Sequence, residues 1–201
     1  MITNKSAEMY KEFKNLVMPR QNGVFSIYGE IKDETEQRFN EFLKQHPKDF
    51  KIYINSAGGN FHNAMSIHNQ IKNRNVDVYI PSMAHSAAAL IAAGGKTINM
   101  GNRARLMFHG AYYGTNKLMN KKDLENSIEW LENMNSDIKN VVKEASGLDD
   151  EKITELMTNE THMDFEQAKA NGFKVTPYEA SYVNKCEDVR REAYRTLAFS
   201  T

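Results

Sequence analysis

The sequence predicts an α/β layered domain in which short strands alternate with helices, and three observations carry that prediction. Apolar runs of four to six residues recur at Val24–Gly29, Phe50–Asn55, Val76–Ile80, Thr97–Met100 and Arg105–Phe108, each of strand length. Stretches with apolar residues three and four apart lie between several of them, the spacing of one helix face. The run Ile52-Tyr53-Ile54-Asn55 passes straight into Ser56-Ala57-Gly58-Gly59, as a buried strand does when a glycine turn ends it. Alternation at this pace is the pattern of a sheet covered by helices.

Within the N-terminal segment 1–23, residues 6 to 17 place Tyr10, Phe13, Leu16 and Val17 at helical spacing, which predicts a short helix. After the first strand, Asp33 with Glu36 three residues on resembles the cap of a helix carrying Phe39, Phe42 and Leu43. A helix over about 64–72 follows the Gly-Gly turn, and the strand Val76–Ile80 ends before Pro81. Ser86 then opens a helix of small residues, Ala87–Ala93, closed by Gly94 and Gly95. From 120 to 146 the residues Leu124, Ile128, Leu131, Met134, Ile138, Val141 and Ala145 recur at steps of three and four, predicting a long amphipathic helix. Its apolar stripe reads as core or subunit interface. Gly147 ends it, and Asp149 or Asp150 caps a short helix bearing Ile153 and Leu156. A last helix is expected from Asp164 to Gly172, then a strand about 173–175, and the charged tail over 186–201 reads as helical. No repeat, low-complexity stretch or linker interrupts the chain, so residues 1–201 are expected to form a single domain.

Composition narrows the function. The 26 basic residues are balanced by 26 acidic ones with no block of like charge, which gives a nucleic-acid partner no electrostatic footing. The single Cys186 excludes an intramolecular disulfide and a cysteine-rich zinc site and suits a reducing compartment. His62, His68 and His85 fall into no metal-ligand spacing. Gly94-Gly95-Lys96-Thr97 resembles the end of a phosphate-binding loop, but Leu90 stands where the first glycine is required. No metal or cofactor is therefore expected. The N-terminus is too polar for a signal peptide, and no run approaches the roughly 20 apolar residues of a membrane span. The expected setting is cytoplasmic.

The chemistry concentrates on Ser86, His109 and the Gly-Gly turn. A serine hydroxyl is a weak nucleophile until a base takes its proton, and His109 follows the apolar run Arg105-Leu106-Met107-Phe108. Ser86 at a strand-to-helix junction would present its hydroxyl at a sheet edge, with the Ala87 amide free in the first turn of the helix. The Gly59 amide lies at the other turn, and together the two amides would form an oxyanion hole, typically worth about 3 kcal/mol per donor. Each residue also has a plainer reading: Ser86 as a helix N-cap, His109 as a structural histidine, and Gly58-Gly59 as a tight turn only.

These residues carry a resemblance. Ile54-Asn55-Ser56-Ala57-Gly58-Gly59 resembles the "INSPGG" strand-turn of ClpP-type serine peptidases, with Ala57 in the proline position. Ala84-His85-Ser86-Ala87 is similar to the family's nucleophile segment and Leu106-Met107-Phe108-His109 to its histidine motif, 23 residues beyond Ser86. The long helix falls where the family has its handle, here 113–146, and the resemblance covers about residues 24–175. Aligning Glu160-Thr161-His162-Met163-Asp164-Phe165-Glu166-Gln167-Ala168 on Ala168 and Gly172 puts Glu160 where most bacterial members carry aspartate. Asp164 is the alternative third member, although its position suits a helix cap. Phage-encoded relatives have a similar Glu-Thr form.

The resemblance implies a ClpP/crotonase-type spiral of ββα units with a protruding handle helix. It also implies a serine endopeptidase in which Ser86 attacks, His109 is the base, Glu160 orients it, and the Gly59 and Ala87 amides hold the oxyanion. A homo-oligomeric ring or stacked rings, protein or peptide substrates, and a role in phage capsid maturation follow by the same route. The first 23 residues do not resemble the axial loops that accompany docking to an AAA+ unfoldase, so that partner is not implied. His85 replaces a small residue beside the nucleophile, where its side chain is expected to face substrate. Two other readings compete: a catalytically silent Clp-like assembly subunit, and a crotonase-like acyl-CoA enzyme of the same fold.

Overall fold

Strands and helices alternate through the described residues, 23–48 and 50–178 of a computed structural model. In chain order they are β1 (Val24–Tyr28), α1 (Asp33–Gln45), β2 (Lys51–Asn55), α2 (Phe61–Ile71), β3 (Asp77–Ile80), β4 (Met83–His85), α3 (Ala87–Ala93), β5 (Thr97–Met100), β6 (Arg105–Met107), α4 (Lys121–Ser146), α5 (Asp150–Thr158), α6 (Phe165–Ala170) and β7 (Val175–Pro177). The helix expected over 6–17 and the helical tail from Cys186 lie outside the described residues. Gly23–Tyr178 is one compact unit.

Two parallel sheets grow together as the chain advances. The larger has the order β1-β2-β3-β5-β7 and the smaller pairs β4 with β6. Single bridges extend the smaller sheet on both sides, joining Ile31 to Gly59, Ser56 to Ala84 and Leu106 to Met163. Each turn of the chain therefore adds one strand to the large sheet and one short extended segment to the small one, then crosses back through a helix. This is the spiral of ββα units, and its parallel pairings force crossovers of this kind.

One face of the large sheet is buried under helices, and along β1, β3 and β5 buried residues alternate with partly exposed ones. Ile27, Ile52, Ile54, Val78 and Ile80 are buried in it, and each fully buried isoleucine contributes about 2 kcal/mol. Under α1, Phe39 meets Phe25 and Phe50 edge-on with ring centroids 5.1 and 6.1 Å apart. Helix α3 is apolar throughout and buried from Ala87 to Ala92, as an element enclosed by neighbours must be.

Four differences from the sequence reading have physical causes. Lys32, not Asp33, is the N-cap of α1, and Thr35 Oγ1 accepts the Lys32 amide at 3.1 Å. Asp33 is the first helical residue and accepts from Asn63 Nδ2 at 2.7 Å, a tertiary bond that outcompetes the local cap. Helix α2 begins at Phe61 rather than near 64, because the Asn60 side chain caps it by accepting the Asn63 amide. Strand β4, expected only as the strand end before Ser86, takes its bounds from pairing with β6, because three residues carry no periodicity. Along α4 the apolar stripe divides: Met134, Ile138 and Val141 are buried, while Leu124 and Ile128 are exposed on its N-terminal half. Among the described residues no helix is long and apolar enough to cross a membrane.

His68 ties α2 to α3. It is 2% exposed, and its Nδ1 lies 2.7 Å from the Leu90 carbonyl oxygen, which only accepts, so Nδ1 carries the proton. Burial holds the imidazole below its usual range, against a smaller opposing pull from the Leu90 carbonyl. Unfolded chains then bind the proton more readily than folded ones, so this contribution to stability is complete above the unfolded value of about 6.5 and is lost as pH falls below it. Melting temperature should therefore drop between pH 7 and pH 5, and His68→Asn, which keeps a donor for Leu90, should flatten that drop. An unchanged slope in the variant would remove His68 as its source.

Candidate active site

The small sheet places the candidate residues side by side at one edge. Ser56 pairs with Ala84, and two residues on Gly58 packs against Ser86 and the Ala87 amide, while Gly59 pairs with Ile31. Ala84 pairs with Leu106, and the Ser86 amide donates to the Met107 carbonyl at 2.9 Å, bringing the segment before His109 against the serine. The last bridge, Leu106 to Met163, is antiparallel, with both amides bonded across it at 2.9 and 2.8 Å. The pairing stops at that bridge: His109 lies three residues beyond Leu106, while Glu160, three residues before Met163, turns its amide to the Met157 carbonyl at 3.3 Å.

Ser86 stands where β4 gives way to α3, with φ 55° and ψ −127°. A non-glycine residue in this region stores about 1–3 kcal/mol of strain, which the paired strand on one side and the buried helix on the other hold in place. Its hydroxyl makes no capping bond to α3, so the plain N-cap reading does not describe it. Such a turn lifts a side chain above the sheet edge, the geometry of a nucleophile elbow.

The Gly-Gly turn packs directly on this elbow. Buried Ser56 organises it, its Oγ accepting the Gly58 amide at 3.1 Å. Gly58 has φ 109°, and a Cβ there would stand 2.7 Å from Ser86 Cβ and 3.1 Å from the Ala87 amide nitrogen. At Gly59, with φ 146°, a Cβ would fall 2.3 Å from the Ile31 carbonyl oxygen. Close approach and positive φ both require glycine here. Among the described residues no acceptor takes the Gly59 or the Ala87 amide.

His109 is half-buried, and its Nδ1 lies 2.5 Å from the Gly110 carbonyl oxygen. Since a carbonyl can only accept, Nδ1 carries the proton and Nε2 holds the free lone pair. The loop that follows is held by α4, where Asn135 Oδ1 accepts the Ala111 amide at 2.7 Å. Ser86 Oγ and His109 share one cleft but are not hydrogen-bonded to each other.

Glu160 has φ 46° and is exposed, and its Oε1 accepts the Tyr112 hydroxyl at 2.5 Å rather than meeting His109. Asp164 caps α6 reciprocally with Gln167, each side chain accepting the other's amide at 3.0 Å. His85 does not line the cleft, contrary to the expectation that it faces substrate. Strand alternation turns it the other way, where its ring meets His162 edge-on at 4.6 Å and its Nε2 is buried without a partner. Burial and then the neighbouring His162 hold it below the usual histidine range.

The cleft itself has a volume of about 270 Å³. Gly59, Ser86, Ala87 and His109 edge it; Leu90, Phe108, Met134 and Ile138 form an apolar lining, and Phe61, His62, Tyr112 and Trp130 complete it. Trp130 meets His62 and Tyr113 with centroids 5.9 and 5.6 Å away. Sequence reasoning missed Phe61, His62, Tyr112, Trp130 and Asn135 as site residues. They come from three separate segments, and no local spacing joins them. Among the described residues no group of three or more His, Cys, Asp or Glu side chains is placed to hold a metal ion.

Comparison with known proteins agrees with this geometry. A ClpP1 mutant from Listeria monocytogenes has a similar fold, with a TM-score of 0.67 and 21% identity over 85% of this chain and 97% of that one. The family pattern described as Clp protease matches residues 4–175, from before β1 to the first residue of β7, taking in Ser86, His109 and helix α4. The chain belongs to the Clp protease family.

Proposed function

We propose that this protein is a serine endopeptidase working through an acyl-enzyme. The observation that carries the reading is Ser86 itself: a strained, uncapped residue whose hydroxyl shares a cleft with a histidine already in the right tautomer. Ser86 Oγ attacks the scissile carbonyl while His109 Nε2 takes its proton. The oxyanion that forms sits against the Gly59 and Ala87 amides, neither of which has an acceptor among the described residues. His109 then returns the proton to the leaving amine, and water repeats the sequence in reverse to free the acid. Glu160 is the member that steadies His109, tied to the same loop through the Tyr112 hydroxyl. The apolar lining suits a large apolar side chain on the residue before the cut bond.

Assembly into a ring or stacked rings is part of the proposal. Leu124 and Ile128 stay exposed along the N-terminal half of α4, a stripe that a second copy would cover. The Glu160-Thr161 form, similar to phage-encoded relatives, favours capsid maturation as the setting, with scaffold and coat proteins as substrates. One observation favours a second reading, a silent assembly subunit: Ser86 and His109 are not bonded in the protomer and Glu160 is engaged elsewhere.

Fluorophosphonate labelling separates these readings. Labelling of the wild type that disappears in Ser86→Ala and His109→Ala is expected; a folded, assembled protein that never labels would establish the silent subunit. Gly58→Ala should both abolish labelling and destabilise the fold by about 2 kcal/mol or more, since a side chain would be forced against Ser86 at positive φ. Unchanged labelling and unfolding in that variant would refute the tight packing of turn on elbow. Replacing Leu124 and Ile128 together by aspartate should shift native mass toward the protomer, whereas an unaltered mass would remove this stripe from the assembly interface.

A further inference from the structure

Tyr112 bridges the two residues that the triad needs to bring together. Its hydroxyl donates to Glu160 Oε1 at 2.5 Å, and its ring lies 4.7 Å from the His109 ring at an angle of 35°. Among the described residues Glu160 Oε2 has no partner, so one carboxylate oxygen is held and the other is open. The His109 Nδ1 proton points for the moment at the Gly110 carbonyl. A long carboxylate that is exposed and otherwise unpaired samples many rotamers, and ordering it at the moment of catalysis is unfavourable. A donor that fixes it beforehand removes that loss.

We infer that Tyr112 is a positioning residue: it holds Glu160 in reach of His109, and its ring limits the imidazole to a short swing from Gly110 to Glu160 Oε2. The inference rests on Ser86 and His109 being nucleophile and base. The hydrogen bond to Glu160 pushes the phenol above its usual range, so Tyr112 stays a donor throughout the working pH. His62 is the other titratable side chain lining the cleft and lies on α2, away from this bridge.

Tyr112→Phe keeps the ring and removes only the hydroxyl. The rate of fluorophosphonate labelling, or kcat on a peptide substrate, should fall about tenfold with KM unchanged, the size expected for one hydrogen bond to a charged group. Its pH profile should move as well, the acid limb shifting to lower pH because a loosely held carboxylate favours the imidazolium less. Glu160→Gln should do the same, and the double variant should be no slower than Glu160→Gln alone. A merely structural Tyr112 would lower the amount of active protein and leave the limb in place, which would overturn the inference, as would full additivity of the two variants. If Ser86→Ala and His109→Ala retain wild-type labelling, the parent reading fails instead. The His109 ring signals in NMR test the bridge without turnover: they should shift in the same sense in both variants, and signals unmoved by Tyr112→Phe would overturn it.

Discussion

The register of the small sheet is the constraint on which the site depends. Five short segments, none longer than three or four residues, are held in line by a handful of bonds: Ile31 to Gly59, Ser56 to Ala84, Ala84 to Leu106, and Leu106 to Met163. Every candidate residue lies just past one of those pairings. A one-residue slip in any of them would turn the following side chain to the opposite face. Nothing in so short a sheet would hold that register alone; it is imposed by the large sheet and the helices crossing over it, which bury the isoleucine core. Stability of the core and geometry of the site are thus linked through the connections between the two sheets.

Strain is concentrated where chemistry is expected. Among the described residues Ser86 and Glu160 are two of three non-glycine residues with positive φ, Ser86 lining the cleft and Glu160 bonded to its Tyr112, and Gly58 and Gly59 supply conformations that other residues resist. The surrounding elements hold these conformations: β4 and buried α3 on either side of Ser86, the Ser56 hydroxyl under Gly58, and Ile31 against Gly59. In contrast, the acid arm is polar, exposed and tied by side chains alone. Backbone contacts hold Ser86 and the Gly-Gly turn, whereas Glu160 is tied by a single exposed phenol, that of Tyr112.

Much of this was legible in the chain. The strand-turn Ile52–Gly59, the helix Ala87–Ala93 and the long helix closed by Gly147 follow from local rules: apolar runs, glycine at positive φ, periodicity of three and four. Ser86, His109 and the two glycines were identifiable because each lies beside such an element. What local rules determined was most of the elements and which side chains were candidates for chemistry. Tertiary structure alone decided the rest. Strand β4 takes its bounds from pairing; Asp33 is held by Asn63 across 30 positions instead of capping its helix; His85 faces His162 and not the cleft; and Tyr112 reaches Glu160 across 48 positions. Contacts of that kind depend on where two distant segments meet, and no spacing within either segment encodes the meeting.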